Sequence, residues 1–202
     1  MVTERFTDQE QDDLFSGLRA GDERVFVSLM SRYQRPFLGV AYRFLQHRDE
    51  AEDAVQKAFL KIYRTRTSYR PGTRPAAWIY SVLYRVCLDA LRARERRRAA
   101  APVDASQGMP AAGTTASRHG GAEQTGEPAE RQRLVRRAVA GLPEAERMAV
   151  ILDQWEGLSL NEIGGAIQRS PSAVKSLLSR GRAKLRVKLT PLLRIEGMDD
   201  RK

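Results

Sequence analysis

Short hydroxyl and cationic side chains share one face of a predicted helix in the C-terminal third of the chain. Residues 169–188 contain seven Lys or Arg residues and no acid. At about 100° per residue, Val174 and Leu178 fall on the opposite, apolar face. Serine lets a helix backbone approach a duplex closely, and Lys and Arg reach phosphates and bases. A solvated basic surface is the alternative, and the flanking sequence favours DNA binding. The predicted DNA-facing residues are Ser172, Lys175, Ser176, Ser179, Arg180 and Arg182.

Two helix starts precede this face at the spacing of a helix-turn-helix. Ser159 followed by Glu162 forms a capping-box pattern and begins a short helix. After a turn through Gln168, Ser170 can cap a second helix whose first residue is Pro171, where the missing N–H costs nothing. Two short helices with a tight connection are the arrangement that places a recognition helix in a major groove.

The overall composition agrees with a polyanionic partner. The 202 residues carry a formal net charge of +10, which favours nucleic acid or an anionic membrane. Cys87 is the only cysteine and His47 and His119 are the only histidines, so we expect no disulfide, no metal site and no histidine-based catalysis. The polar N-terminus and the absence of a long apolar run predict a cytoplasmic protein that is not inserted in a membrane. We expect neither catalytic residues nor a cofactor.

The chain divides into three stretches of different character. Apolar residues recur at helical spacing over 8–98 and again over 129–193. Residues 99–128 between them are rich in Ala, Gly, Ser, Thr and Pro and nearly lack large apolar side chains, which is typical of a flexible linker. The predicted fold is therefore all-α, with two small helical domains joined by a flexible linker.

A helix predicted over about 49–63 has an unusual polar side. Asp53, Gln56 and Leu60 lie opposite its apolar face, and a leucine among carboxylates can mark a protein-contact surface. A solvated face with one stray leucine is the alternative, and the residues alone do not separate the two. The predicted apolar face consists of Ala51, Ala54, Val55, Ala58, Phe59 and Ile62.

The helix-turn-helix and the run GLPEAERMAVILDQWEGLSLNEI, residues 141–163, resemble region four of the extracytoplasmic-function (ECF) sigma factors of bacterial RNA polymerase. The chain departs from that pattern at Gln168, where the turn usually has glycine, and at Gly164 and Gly165, which replace better helix formers. The resemblance implies that the −35 promoter element is read by Lys175, Ser176, Ser179 and Arg180.

The run DEAEDAVQKAFLKIYR, residues 49–64, is similar to the region-two helix of the same family, which docks on the β′ clamp helices of the polymerase core. The resemblance implies that Asp53, Gln56 and Leu60 make this contact. Lys57 departs from the pattern, because an acid is usual there, and it changes the charge of the docking surface.

Residues 69–98 resemble the family segment that opens and reads the −10 element. Trp78 and Tyr80 match its aromatic positions, and an aromatic side chain there can stack on an unpaired base, a contact of about 1–3 kcal/mol. For Trp78 the core of the domain is the alternative position.

Several residues of this segment depart from the family or allow two interpretations. Ala77 stands where threonine is frequent and Arg85 where asparagine is common, and Asp89 can pair with Arg85 or Arg92 on its own helix. The run RARERRR, residues 92–98, can contact DNA phosphates. The alternative is a solvated helix end, where the helix dipole favours positive charge. The residues predicted for −10 binding and melting are Trp78, Tyr80, Arg85 and Arg92.

The resemblance implies an alternative sigma factor that directs RNA polymerase to specific promoters and is not an enzyme. Its implied partners are promoter DNA, the polymerase core through the β′ clamp helices and the β flap, and an anti-sigma factor. A dimeric repressor or response regulator would use the same helix-turn-helix, but the chain lacks a receiver-like βα pattern. An enzyme with a DNA-binding tail is a third alternative, and the scarcity of histidines and clustered carboxylates speaks against it.

Overall fold

The computed structural model describes residues 8–70, 74–100 and 127–199, and it describes side chains over 14–70, 74–100 and 130–190. Helices and turns make up these ranges, without a strand, which confirms the predicted all-α fold. Most of the predicted linker, residues 99–128, lies outside the described ranges. The helices are α1 (Asp8–Ala20), α2 (Glu23–Leu45), α3 (Arg48–Arg64), α4 (Pro75–Ala100), α5 (Glu127–Ala140), α6 (Glu144–Gln154), α7 (Leu160–Ile167) and α8 (Pro171–Asp199), with a 3-10 turn at Arg66–Ser68.

Helices α2, α3 and α4 form the core of the N-terminal half. Asp22 begins α2 by accepting a hydrogen bond from the Arg24 N–H at 2.9 Å, and Gln46 ends it in a left-handed conformation with φ of 60°. The buried side of α3 packs on α2 and α4 around Phe37 and Ile79. It consists of the six residues predicted for its apolar face, namely Ala51, Ala54, Val55, Ala58, Phe59 and Ile62.

Helices α6, α7 and α8 form the core of the C-terminal half. The side chains of Ser159 and Glu162 form the predicted capping box at the start of α7. The Ser170 hydroxyl accepts from the Ala173 N–H at 3.2 Å, and Pro171 is the first residue of α8. Gln168 links the two helices at φ of 56°, a left-handed conformation that disfavours side chains other than glycine. The predicted helix-turn-helix is confirmed, with strain at its turn.

The two halves pack directly against each other. Helix α7 lies on α4, and α2 contacts α5 and α6. Arg147 of α6 donates a hydrogen bond to the Phe44 carbonyl of α2 at 2.9 Å, and its guanidinium lies 5.3 Å from the centre of the Phe44 ring. The apolar cores of the halves are therefore continuous. Within the described ranges, every helix is too short or too polar to cross a bilayer.

Candidate nucleic-acid and polymerase interface

Helix α8 presents the predicted DNA-facing residues to solvent. Its position is fixed by Val174 and Leu178, which are 0% and 4% exposed and pack in the C-terminal half. Because side chains three and four positions apart share a face, burial of these two residues turns the serine and basic side outward. The exposed residues include all six that the sequence analysis selected, namely Ser172, Lys175, Ser176, Ser179, Arg180 and Arg182.

Two acids of α6 hold cations of this face. Glu146 is buried, and its carboxylate lies 3.3 Å from Arg180 Nε and 2.8 Å from Lys184 Nζ. Asp153 accepts from Arg182 Nη2 at 2.7 Å. These contacts restrict the rotamers of both arginines and join α8 to α6. The sequence analysis did not find either acid, since their partners lie about 30 residues away along the chain.

The outer face of α3 carries the residues predicted to contact the polymerase. Asp53 and Gln56 are exposed, and Leu60 is a large apolar side chain with 56% exposure. Lys57 Nζ lies 2.7 Å from Asp53 Oδ2. Asp53, one of the residues predicted to contact the polymerase, therefore forms an ion pair on its own helix. Both charges are more than half exposed, and their attraction is weak in water.

The aromatic residues predicted for the −10 element occupy different environments. Trp78 is partly buried and meets the rings of Phe15 and Tyr69 edge-on, at centroid distances of 6.0 and 5.6 Å. Tyr80 is only 4% exposed and packs on Phe37 at 5.3 Å. Tyr80 is therefore closed to a base, whereas Trp78 is only partly covered, by rings of its own half.

The basic residues predicted for the same segment are accessible. Arg85 is exposed and folds back on its own helix, with Nε 3.2 Å from the Ser81 carbonyl oxygen. Arg92 is also exposed and lies 3.8 Å from Asp89, which is one of the two pairings predicted for Asp89. The structure therefore exposes both arginines, leaves Trp78 partly exposed and buries Tyr80.

Tyr80 contacts both halves, with its ring on Tyr33 and Phe37 and its hydroxyl on Glu156 of the helix-turn-helix half. The Tyr80 hydroxyl and a Glu156 carboxylate oxygen are 2.7 Å apart, between α4 and the turn after α6. Burial raises the pKa of Glu156 above its ordinary value, although Tyr80 and Arg43 oppose this shift. Burial also raises the pKa of Tyr80 well above its usual range, so the phenol stays protonated and donates to the carboxylate. No pattern in the sequence predicted this pair.

Two helical halves, one of which carries a helix-turn-helix with an exposed serine and basic face, have the features of a DNA-binding regulatory protein. The family model Sigma-70 region 2 matches residues 29–97, and the model Sigma-70, region 4 matches residues 132–185. The chain is 32% identical to the RNA polymerase sigma-H factor of Pseudomonas aeruginosa over 92% of this chain and 97% of that protein. It is 30% identical to the ECF RNA polymerase sigma-E factor of Escherichia coli K12 over 96% of this chain and 100% of that protein. The chain belongs to the ECF RNA polymerase sigma factors, so the predicted family is confirmed.

Solved structures share the fold at lower identity. The structure of CnrH in complex with the cytosolic domain of CnrY aligns with a TM-score of 0.66 and 20% identity, over 90% of this chain and 97% of that one. The sigma factor RpoE of Bartonella quintana, in complex with the anti-sigma factor NepR, aligns with a TM-score of 0.56 and 20% identity, over 90% and 95% of the two chains.

Proposed function

We propose that this sigma factor reads the −35 element through the exposed side of α8. The observation that carries this proposal is the combination of an anchored apolar side and an exposed serine and basic side on one helix. Lys175 and Arg180 are the residues with the reach to contact base edges, and Ser172, Ser176 and Ser179 permit close approach of the backbone. Glu146 orients Arg180 and thus supports the same contact.

The polymerase core docks on the outer face of α3 in this proposal. A protein contact accounts for an exposed leucine beside an exposed acid and amide, and the β′ clamp helices are the partner implied by the region-two match. Leu60 supplies the apolar contact, while Asp53 and Gln56 supply polar ones. The β flap is the expected second contact, made by the helix-turn-helix half.

The N-terminal half opens and reads the −10 element through α4 and the loop before it. Arg85 and Arg92 contact phosphates, since both are exposed on α4. Tyr80 and Trp78 are proposed to stack on unpaired bases once the helix-turn-helix half has moved away from α4. This movement is required by distance, because the two promoter elements are centred about 25 base pairs apart, or roughly 85 Å at about 3.4 Å per pair. The 26 residues between Ala100 and Glu127 reach at most about 90 Å when fully extended, which is enough.

An anti-sigma factor is the proposed regulatory partner, and the groove between α2 and α5 is its proposed docking site. The groove is open to solvent and has a volume of about 1000 Å³, and its lining includes the apolar side chains Leu38, Val135 and Val139. Acidic helical segments complement such a surface in charge and in apolar area. One structural relative was solved with an anti-sigma factor, which supports the class of partner. The arginines that line the groove are Arg35, Arg43, Arg48, Arg131 and Arg136.

Transcription with purified core polymerase tests the proposal directly. We expect the protein to start RNA at defined sites in a genomic template, and sequencing of the RNA 5′ ends then yields both promoter elements. Lys175→Ala and Arg180→Ala should each weaken binding to the −35 duplex by about 5- to 150-fold, the equivalent of about 1–3 kcal/mol per base contact. Lys188→Ala is the matched control, because this cation lies on the same helix and donates to the Gly141 carbonyl of its own half. Equal losses for all three variants would contradict base reading by α8.

The core contact and the anti-sigma site have separate readouts. Asp53→Arg should reduce capture of the core polymerase while binding to the −35 duplex stays unchanged. An anti-sigma factor that silences the wild-type protein should lose this effect on a variant with Arg35→Glu and Arg131→Glu. Continued silencing of that variant would contradict the proposed docking site.

A further inference from the structure

We propose that Glu146 of α6 is a positioning residue for −35 recognition, which holds Arg180 of α8 so that its guanidinium meets the N7 and O6 acceptors of a guanine. The proposal rests on the proposed function, because it specifies how one residue of the same helix face reads its base. It requires that the carboxylate be fixed, that it hold a defined part of Arg180, and that the rest of the guanidinium be accessible to DNA.

The carboxylate of Glu146 is buried and held between two cations. Only 5% of the residue is exposed, and acidic side chains are almost never buried to this degree unless they are paired. Its Oε1 atom lies 3.3 Å from Arg180 Nε, and its Oε2 atom lies 2.8 Å from Lys184 Nζ. Arg180 and Lys184 are four positions apart and therefore share a face of α8. With one oxygen on each cation, the carboxylate has little freedom to turn.

Close packing of α6 on α8 keeps the acid within reach of the arginine. A Cβ atom built on Gly181 would lie 2.9 Å from Val150 Cγ2 and 3.7 Å from the Glu146 Cβ. A larger residue at position 181 would therefore require Val150 or one of the helices to move. Because Gly181 directly follows Arg180, the two helices meet beside the arginine, and the buried carboxylate reaches it across this contact.

The contact through Nε leaves the end of the Arg180 side chain for a base. A guanidinium carries N–H donors on Nε and on both terminal nitrogens, in one rigid plane. Among the residues that the structure describes, Glu146 accepts from Nε, and 58% of the Arg180 side chain is exposed. The two terminal nitrogens can therefore donate to O6 and N7 of guanine in the major groove. Adenine presents an N–H donor in place of O6, so it opposes one of the two donors.

Holding Arg180 before DNA arrives strengthens this selectivity. A free arginine loses rotamer freedom when it engages a base, which lowers affinity by about 2- to 10-fold. The ion pair with Glu146 restricts these rotamers already in the free protein. The same ion pair opposes the pull of Arg180 toward phosphates, whose contacts carry no sequence information. Glu146 therefore contributes to the choice of base without touching DNA.

Asp153 provides a matched control on the same helix. Its carboxylate accepts from Arg182 Nη2 at 2.7 Å, so it also joins α6 to a cation of α8. Replacement of either acid by an uncharged residue changes the net charge by the same amount. Only replacement of Glu146 releases Arg180, so a difference between the two variants reports on positioning rather than on charge.

Binding to promoters with single-atom changes in guanine tests the proposal. The full-length protein is assembled with core polymerase, and the dissociation constant is measured on a promoter whose −35 element is known from the RNA 5′ ends. Each guanine of this element is replaced in turn by 7-deazaguanine, which lacks the N7 acceptor. The readout is the ratio of the dissociation constants for the 7-deazaguanine and guanine duplexes. Partial misfolding weakens binding to both duplexes alike and leaves this ratio unchanged.

For the wild-type protein we expect a ratio of about 5- to 150-fold at one guanine, and Arg180→Ala should abolish it there. Glu146→Met, which keeps the length of the side chain, should lower the ratio by about 2- to 10-fold. Asp153→Asn should leave the ratio unchanged. In the Arg180→Ala background, Glu146→Met should have no further effect on it.

Glu146→Gln keeps the shape of the side chain as well, but its amide has one oxygen for two cations, so its ratio should lie between those of the wild type and Glu146→Met. An unchanged ratio in both Glu146 variants, or an equal fall in Asp153→Asn, would overturn the positioning role. A ratio that Arg180→Ala leaves unchanged at every guanine would overturn the base contact. If the wild-type protein with core polymerase starts RNA at no defined site, the proposed function itself fails, and this outcome is distinct from the others.

Discussion

Adding a single methyl group at Gly165 of α7 should separate the two halves into an open form, and removing one at Ala77 of α4 should restore the packed, closed form. Gly165→Ala places a Cβ atom 2.7 Å from the Ala77 Cβ, well inside van der Waals contact. Overpacking of this kind typically costs about 1–3 kcal/mol, which shifts the ratio of closed to open protein about 5- to 150-fold toward the open form. In the double variant with Ala77→Gly, the nearest atom is the Cα of residue 77 at 3.8 Å, an ordinary contact. The double variant should regain closure.

Helix propensity separates this effect from loss of folding. Gly165→Ala should stabilise α7 by about 1 kcal/mol, whereas Ala77→Gly should destabilise α4 by a similar amount. The single variant is thus expected to open while its C-terminal half gains thermal stability, and the double variant to close although α4 is weakened. Simple unfolding cannot produce these results, because it would separate the halves and lower the thermal stability in the same variant.

Energy transfer between dyes on Val27→Cys and Val187→Cys measures opening, and thermal unfolding by circular dichroism measures stability. In the same assay Gly164→Ala should lower stability and −35 binding without changing energy transfer, because its Cβ atom meets the Arg169 carbonyl within the C-terminal half. Energy transfer in Gly165→Ala equal to that of the protein with only the two labelling cysteines, or a failure of Ala77→Gly to restore it, would refute steric control of the packing by residues 77 and 165.

Four further predictions follow from individual residues. Burial raises the pKa of Glu156 in the closed form, so the closed form binds a proton more readily and is favoured at lower pH. Energy transfer should therefore show more closed protein as the pH falls from 7 toward 5.5. Glu156→Gln should remove this pH dependence. Burial raises the pKa of the Cys87 thiol to about 12, so a maleimide at pH 7 should label it only after denaturant is added. Gln168→Gly should relieve the left-handed strain of the turn and raise the free energy of unfolding by about 1 kcal/mol in a denaturant titration, and an unchanged midpoint would contradict this. Lys57→Glu should alter core binding in a pull-down, since Lys57 pairs with Asp53 on the docking face, whereas Arg48→Glu on the same helix should not.

The sequence by itself determined the helices and their faces. The capping box of Ser159 and Glu162, the N-cap Ser170 and the start of α8 at Pro171 follow from residues at most three positions apart. The buried side of α3 follows from the 3.6-residue period of its apolar positions. Local steric and hydrogen-bonding rules act over a few residues and need no knowledge of the rest of the chain, so these features could be read from the sequence directly.

Only the tertiary structure decided what those faces pack against. Periodicity shows that a side of α4 is apolar, but it does not show that Tyr80 contacts Glu156 or that Gly165 meets Ala77. The pairing of Glu146 with Arg180 joins residues 34 positions apart. Long-range contacts depend on the shape of two surfaces at once, and many surfaces of similar composition satisfy the same pattern of apolar and polar residues. The sequence therefore specified the recognition helix, whereas the closed arrangement of the two halves emerged only when the helices were assembled.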